Sequence, residues 1–224
     1  MRRDTGAMTV PRLLRHRVGW IAALLFLLPT PAGAAVTMAF WSRDFGNYFP
    51  HAFLTLRGTP DAGGAPVDAS YGFTAKSITP KLLFGNVGGK VERPKRGYME
   101  GSHVRFAVTL SDAQYARVVA LVQGWDEKTG DATYNLGKRN CVHFVREAAV
   151  IAGLAADFPK LMKKPGRFLL SVAAANPGRV TVIEKNGRDY LAALPPIDGG
   201  APVTVPSGTP GTMPAKKKEE EPVG

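Results

Sequence analysis

The stretch NCVHFVREAAVIAG, residues 140–153, constrains the fold more than any other part of the chain. An asparagine at its start and a glycine at its end are the residues that cap the two ends of an α-helix. Turning about 100° per residue places Cys141, Phe144, Val145, Ala148, Ala149 and Ala152 on one face. That is the spacing of a helix laid against a core. Whatever the fold, the only cysteine of the chain is therefore held in a first helical turn, on the side facing the rest of the protein. The remaining sequence has to supply the surface that this stripe covers.

It supplies strands. HAFLTLRG (51–58) is apolar and aromatic and stops at a glycine. VDASYGFTA (67–75) follows after the turn-forming DAGGAP, making a loose hairpin. HVRFAVTL (103–110) alternates polar and apolar residues, and AVTMAFWSRDFGNYFP reads as a short strand and a loop. Between them SITPKLLFGNVGGKVERPKRGYMEG is punctuated by Gly and Pro and reads as an irregular segment of the kind that shapes binding sites. Ser111 and Gln114 form a capping box for a helix running to about Gly124. DEKTGDATYNLGKRN reads as a loop, Pro165 opens another helix, and RVTVIEK, Asn186-Gly187 and RDYLAAL resemble a hairpin. Strands with few helices predict an α+β fold, a small antiparallel sheet with the Cys141 helix packed on it. With 45% hydrophobic residues over 224 positions, one domain spanning 35–194 accounts for the globular part. From Pro195 to residue 224 Pro, Gly, Thr, Lys and Glu dominate and predict a disordered tail.

The first 34 residues read as a leader. The basic RLLRHR (12–17) precedes an apolar run over 21–28, then Ala32-Gly33-Ala34 offers a small-residue cleavage site. This order is that of a secretory signal peptide, which predicts a periplasmic or secreted protein; an uncleaved N-terminal membrane anchor is the alternative. The formal charge is +11; the leader holds five Arg and one Asp, which leaves +7 for the rest. The Lys and Arg are scattered, without the aromatic interleaving of a nucleic-acid face, so no nucleic-acid partner is expected. A basic surface suits peripheral contact with anionic envelope material. One cysteine forms no internal disulfide, and a lone thiol in an oxidising compartment points to a use for Cys141.

The backbone N–H groups and dipole at a helix N-terminus favour a thiolate there, and the same N–H groups can donate to an oxyanion forming beside the sulfur. His143, two residues on, lies about 200° around the helix and faces away from the thiol. It reads as a polar surface or supporting residue, not the base. The remaining candidates are His51 and His103, each opening a strand. His51 opens the more apolar strand, which suits the centre of a sheet; His103 opens an alternating one, which suits a half-exposed position. His51 is the favoured base.

The segment Asn140-Cys141-x-His143-Phe144-Val145 resembles the N-C-x-H-F-V segment of the lecithin:retinol acyltransferase family, part of the circularly permuted NlpC-type, papain-like superfamily. His51, opening HAFLTL about 90 residues before Cys141, matches the order in that family, in which the histidine strand precedes the cysteine helix. The resemblance covers about 36–153. It implies a circularly permuted papain-like (NlpC-type) fold and a thiol hydrolase or acyltransferase in which Cys141 attacks an acyl carbon and His51 serves as base. A third polar residue on the strand after the histidine is also implied; Ser70 and Tyr71 are the candidates there, with Asp68 a further one.

Three functions follow as expectations. The first is an exported Cys–His hydrolase, a cysteine peptidase or amidase acting through a thioester on peptide or peptidoglycan amide bonds. The second is a lipid esterase or acyltransferase, with Leu82, Leu83 and Phe84 lining an apolar groove. The third is an inactive binding module on the same fold. No cofactor is expected. One Cys and scattered His give no metal-ligand spacing, and GNVGGK lacks the spacing and hydroxyl residue of a phosphate-binding loop.

Overall fold

The computed structural model describes residues 35–44 and 49–197. The leader expected over 1–34 lies outside them, as does the tail beyond residue 197. The strands are β1 (Val36–Arg43), β2 (His51–Gly58), β3 (Val67–Ala75), β4 (Val87–Glu92), β5 (His103–Leu110), β6 (Thr133–Tyr134) and β7 (Thr181–Asn186). The helices are α1 (Arg96–Glu100), α2 (Asp112–Trp125), α3 (Cys141–Ile151), α4 (Pro165–Ala175) and α5 (Gly187–Ala192). Every strand pair is antiparallel, in one seven-stranded sheet of order β6-β4-β3-β2-β1-β5-β7. The fold is thus α+β, with β2 at the middle of the sheet. Among the described residues no helix is long and apolar enough to cross a membrane.

The sheet is covered on both faces. On one, Phe40, Leu54, Tyr71 and Phe73 meet Phe144, Val145 and Ala148 of α3 and Phe168 and Leu169 of α4 in the main core. On the other, Ala39, Trp41, Phe53, Val104 and Ala107 lie under Tyr98 and Met99 of α1 and Tyr190 and Leu191 of α5. Two-sided burial is why β1 and β2 are apolar nearly throughout instead of alternating. Each fully buried aliphatic or phenyl side chain contributes roughly 1.5–3 kcal/mol.

The helix expected from the 140–153 stripe is present. Cys141, Phe144, Val145, Ala148, Ala149 and Ala152 are all buried. It ends where Gly153 takes φ +80, a left-handed conformation that favours glycine, and Leu154 N donates to Ala149 O at 2.9 Å. The Ser111–Gln114 capping box opens α2.

Three segments differ from expectation. The 77–101 stretch is not irregular; it carries the 3-10 turn Pro80–Leu83, β4 and α1. The loop before α3 contains the short strand β6, which pairs with β4 through Val87↔Tyr134 and Gly88↔Thr133. The Asn186-Gly187 hairpin is instead a strand followed by a helix. Asn186 sits at φ −64 and its side chain accepts from Asp189 N, so it serves as a helix cap. A hairpin turn of the expected kind needs left-handed backbone at both residues.

Candidate functional site

Cys141 is positioned from within its own segment. The Asn140 side-chain oxygen accepts from Val142 N at 2.8 Å and His143 N at 3.2 Å. Its amide nitrogen donates to Leu136 O and Met162 O, both at 2.8 Å. One side chain therefore caps α3 and ties it to the preceding loop and to the segment before α4. His143 completes the capping box: its Nδ1 receives the Asn140 N–H at 3.3 Å. Its ring is engaged with the cap, as the helical geometry predicts. Partial burial, then the charges of Arg146 and Arg139, hold it below the usual histidine range, so it is neutral at pH 7. The cap occupies the N–H groups of Val142 and His143. The Cys141 N–H alone of these three remains outside it, which narrows the expectation that several helix N–H groups face the sulfur.

His51 comes from the opposite direction. The registered pairing of β2 with β3 ends at Phe53↔Gly72, two residues short of His51. The imidazole stacks on Phe53 (centroids 6.1 Å apart, 17° between planes) and meets the edge of Tyr98 at 6.4 Å. It is 7% exposed and interacts electrostatically with Cys141. His51 Nε2 lies 3.0 Å from Glu92 Oε1. That is the length of a charge-assisted hydrogen bond, but Nε2 lacks a partner in hydrogen-bond alignment, so the contact is best described as an ion pair.

Glycine makes the reach across the sheet possible. Gly72 of β3 is registered with Glu92 of β4, and β3 lies between the strands of His51 and Glu92. A Cβ at Gly72 would stand 2.5 Å from His51 Nε2, inside any tolerable contact. The absent side chain is the space that the imidazole occupies.

The electrostatics follow from this placement. Burial alone would lower the His51 pKa. The interaction with Cys141, then the carboxylate of Glu92, outweighs it and pushes His51 up to about 10. Burial acts to raise Glu92, but His51 and then Lys90 hold its carboxyl below the ordinary range. The imidazolium is thus the stable form at neutral pH, flanked by two groups that stabilise its charge.

Of the residues expected from sequence, the structure brings Cys141 and His51 together. His103 is exposed at the start of β5, registered with Ser42 and Asn186. The residue set against His51 is Glu92, not Ser70 or Tyr71. Ser70 gives its hydroxyl to Pro94 O at 2.8 Å. Tyr71 is registered with Leu54 and buried with it in the core on the α3 side, with Arg93 over its ring at 5.0 Å. Asp68 pairs with Arg57 at 3.5 Å. Glu92 was missed because the segment around it reads as irregular. The available signal was weak: Val87, Gly89 and Val91 alternate with Gly88, Lys90 and Glu92, a strand pattern thinned by two glycines. Leu82 is buried, but Leu83 and Phe84 are 67% and 86% exposed. Among the described residues no group of three His, Cys, Asp or Glu side chains is arranged to hold a metal ion.

Comparison with protein-family models, with curated proteins and with solved structures finds no match.

Proposed function

We propose that the chain is an exported Cys–His hydrolase on the circularly permuted papain-like plan, acting on amide bonds of peptides or peptidoglycan. One observation carries the reading: a buried imidazole lies 3.0 Å from a carboxylate and interacts electrostatically with a helix-N-terminal cysteine, in the chain order histidine, carboxylate, cysteine. The resting pair is a thiolate and an imidazolium, the Cys141 proton already residing on His51. The sulfur adds to the acyl carbon, and the carbonyl electron pair moves onto oxygen. When the tetrahedral species collapses, the carbon–nitrogen bond breaks and His51 protonates the leaving amine. His51 then takes a proton from water, which attacks the thioester; the carbon–sulfur bond breaks and Cys141 is restored. Glu92 touches neither reacting atom. It orients the ring and stabilises its charge, the role of the carboxylate in other triads. The signal-like leader and the excess of basic residues support an anionic, extracytoplasmic substrate.

A second reading has one observation in its favour. Ile78, Leu83 and Phe84 are exposed by 68%, 67% and 86%, apolar surface that suits a lipid acyl substrate. A direct test compares purified protein on muropeptides and on phospholipid vesicles, with Cys141→Ala as the blank. Cysteine-dependent release of amines from muropeptides supports amide hydrolysis. Cysteine-dependent release of fatty acid from vesicles alone replaces it with the lipid reading. Activity on neither, with no acyl adduct on Cys141, leaves an inactive binding module.

A further inference from the structure

Glu92 does not by itself fix the tilt of the His51 ring, because Nε2 lies 3.0 Å from the carboxylate without hydrogen-bond alignment. The outer torsion of a histidine is broad, so the orientation of the ring is set by what packs on it. Phe53 stacks on one face, and Gly72 leaves room under Nε2 and Cε1. Both belong to the sheet. A third neighbour, Tyr98, comes from α1. We infer that Tyr98, pinned by Arg43, is a positioning residue of this site, closing the edge of the imidazole and keeping Nε2 on Glu92; for its effect on catalysis the assignment rests on the Cys–His reading above.

The contacts that place it begin and end on one strand pair. β1 and β2 set Arg43 directly opposite His51, and opposite residues of an antiparallel pair lie on the same face. The Arg43 guanidinium lies 4.5 Å over the Tyr98 ring, and its Nη1 donates to the Tyr98 carbonyl at 2.8 Å. The Ser102 hydroxyl donates to the same carbonyl at 2.9 Å. Gly101 gives the guanidinium its room: a Cβ there would stand 2.9 Å from Nη1. The Tyr98 ring then meets His51 edge-on at 6.4 Å, with 73° between planes, and leans on Phe53 at 5.8 Å. These separations are those of favourable aromatic pairs.

The five-residue α1 is too short to hold its place by its own hydrogen bonds. Arg43 and Ser102 fix its backbone at Tyr98, and Tyr98 and Met99 pack on the cluster of Trp41 and Phe53. The ring against His51 is therefore held from β1 as firmly as the histidine is held from β2. No proton or electron pair passes through Tyr98. Its part is steric: an imidazole with an open edge can rotate away from the carboxylate, and one closed by a pinned ring cannot.

The test is a double-mutant cycle on the titration of His51, followed by NMR and assigned by the resonance missing in His51→Ala. Tyr98→Leu removes the ring; Tyr98→Phe keeps it. Glu92→Gln is expected to lower the His51 midpoint by about 1–3 pH units in the otherwise wild-type chain, and by well under one unit beside Tyr98→Leu, where the ring has already left the carboxylate. Tyr98→Phe should respond to Glu92→Gln as the wild type does. Acylation by p-nitrophenyl acetate should fall on the order of tenfold or more in Tyr98→Leu. An equal effect of Glu92→Gln in the wild-type and Tyr98→Leu backgrounds overturns the inference. Loss of the coupling in Tyr98→Phe also overturns it, because the hydroxyl and not the ring would then be the agent. Arg43→Met, which unpins the tyrosine without removing it, should lose part of the coupling, and it decides alone if Tyr98→Leu does not fold; full coupling there overturns the inference. A wild-type protein whose Cys141 is never acylated removes the hydrolase reading and leaves the titration result standing, so the two fail separately.

Discussion

Cys141 and Glu92 flank one imidazole, yet they are put there by opposite means. Cys141 is placed locally. Its helix is capped by the preceding residue, closed by His143 and turned by an apolar stripe, all within residues 140–153. Glu92 ends a strand, VGGKVE, with no strong pattern of its own. It reaches His51 because β4 pairs with β3, β3 pairs with β2, and the intervening residue Gly72 has no side chain. A cysteine at a helix N-terminus is thus a short-range property, whereas the ion pair of His51 with Glu92 is a property of sheet order.

The comparison can be broken most severely at the imidazole that joins its two halves. His51→Ala is expected to slow cysteine-dependent acylation by about 10³-fold or more, with His103→Ala unchanged; comparable losses in both would show that the wrong histidine has been joined to the thiol. Gly72→Ala attacks only the long-range half. Its methyl group would displace the imidazole, so acylation should fall by about a hundredfold while the far-ultraviolet dichroism stays native. Full activity in this variant would mean that the imidazole has room elsewhere, and that the missing side chain is not what holds the pair.

Glu92→Gln keeps the shape and removes the charge. A drop of about tenfold in acylation is expected, because the imidazolium loses a carboxylate that stabilises its charge. The same variant sharpens the comparison through the pH dependence of stability. His51 is raised from 6.5 to about 10. Its contribution is complete below about pH 6.5 and is lost as the pH climbs through about 10. Glu92 is lowered from 4.5, so its contribution is present above that value and is lost as the pH falls through the lowered one. Urea midpoints measured across pH should therefore be highest between these limits. Glu92→Gln should flatten the acid side, and an unchanged acid limb would show that the ion pair contributes nothing to folding.

The smallest effect is expected at the local end. Asn140→Ala removes a helix cap and should cost about 1–2 kcal/mol in stability, read as a lowered urea midpoint. Acylation should fall less than in Gly72→Ala, because the stripe of α3 still holds Cys141 against the sheet. A larger loss of acylation than in Gly72→Ala would reverse the ranking of local and long-range control.

What the sequence determined by itself was the set of features whose physics is short-range. Cap chemistry and a 3.6-residue period placed Cys141 in a first turn and turned His143 away from the thiol. Apolar content and alternation marked β2, β3 and β5 and favoured His51 over His103. What only the tertiary structure decided depends on which strands become neighbours. The glycines of VGGKVE hide β4 from any pattern, because glycine has no side chain to alternate, so Glu92 was unread and Ser70 and Tyr71 stood in for it. Asn186-Gly187 is equally compatible with a turn and with a helix cap, and only the dihedral angles adopted in the folded chain distinguish the two. The space over Gly72 acquires meaning only when distant segments are brought together, since it is not a property of the residues beside it in the chain.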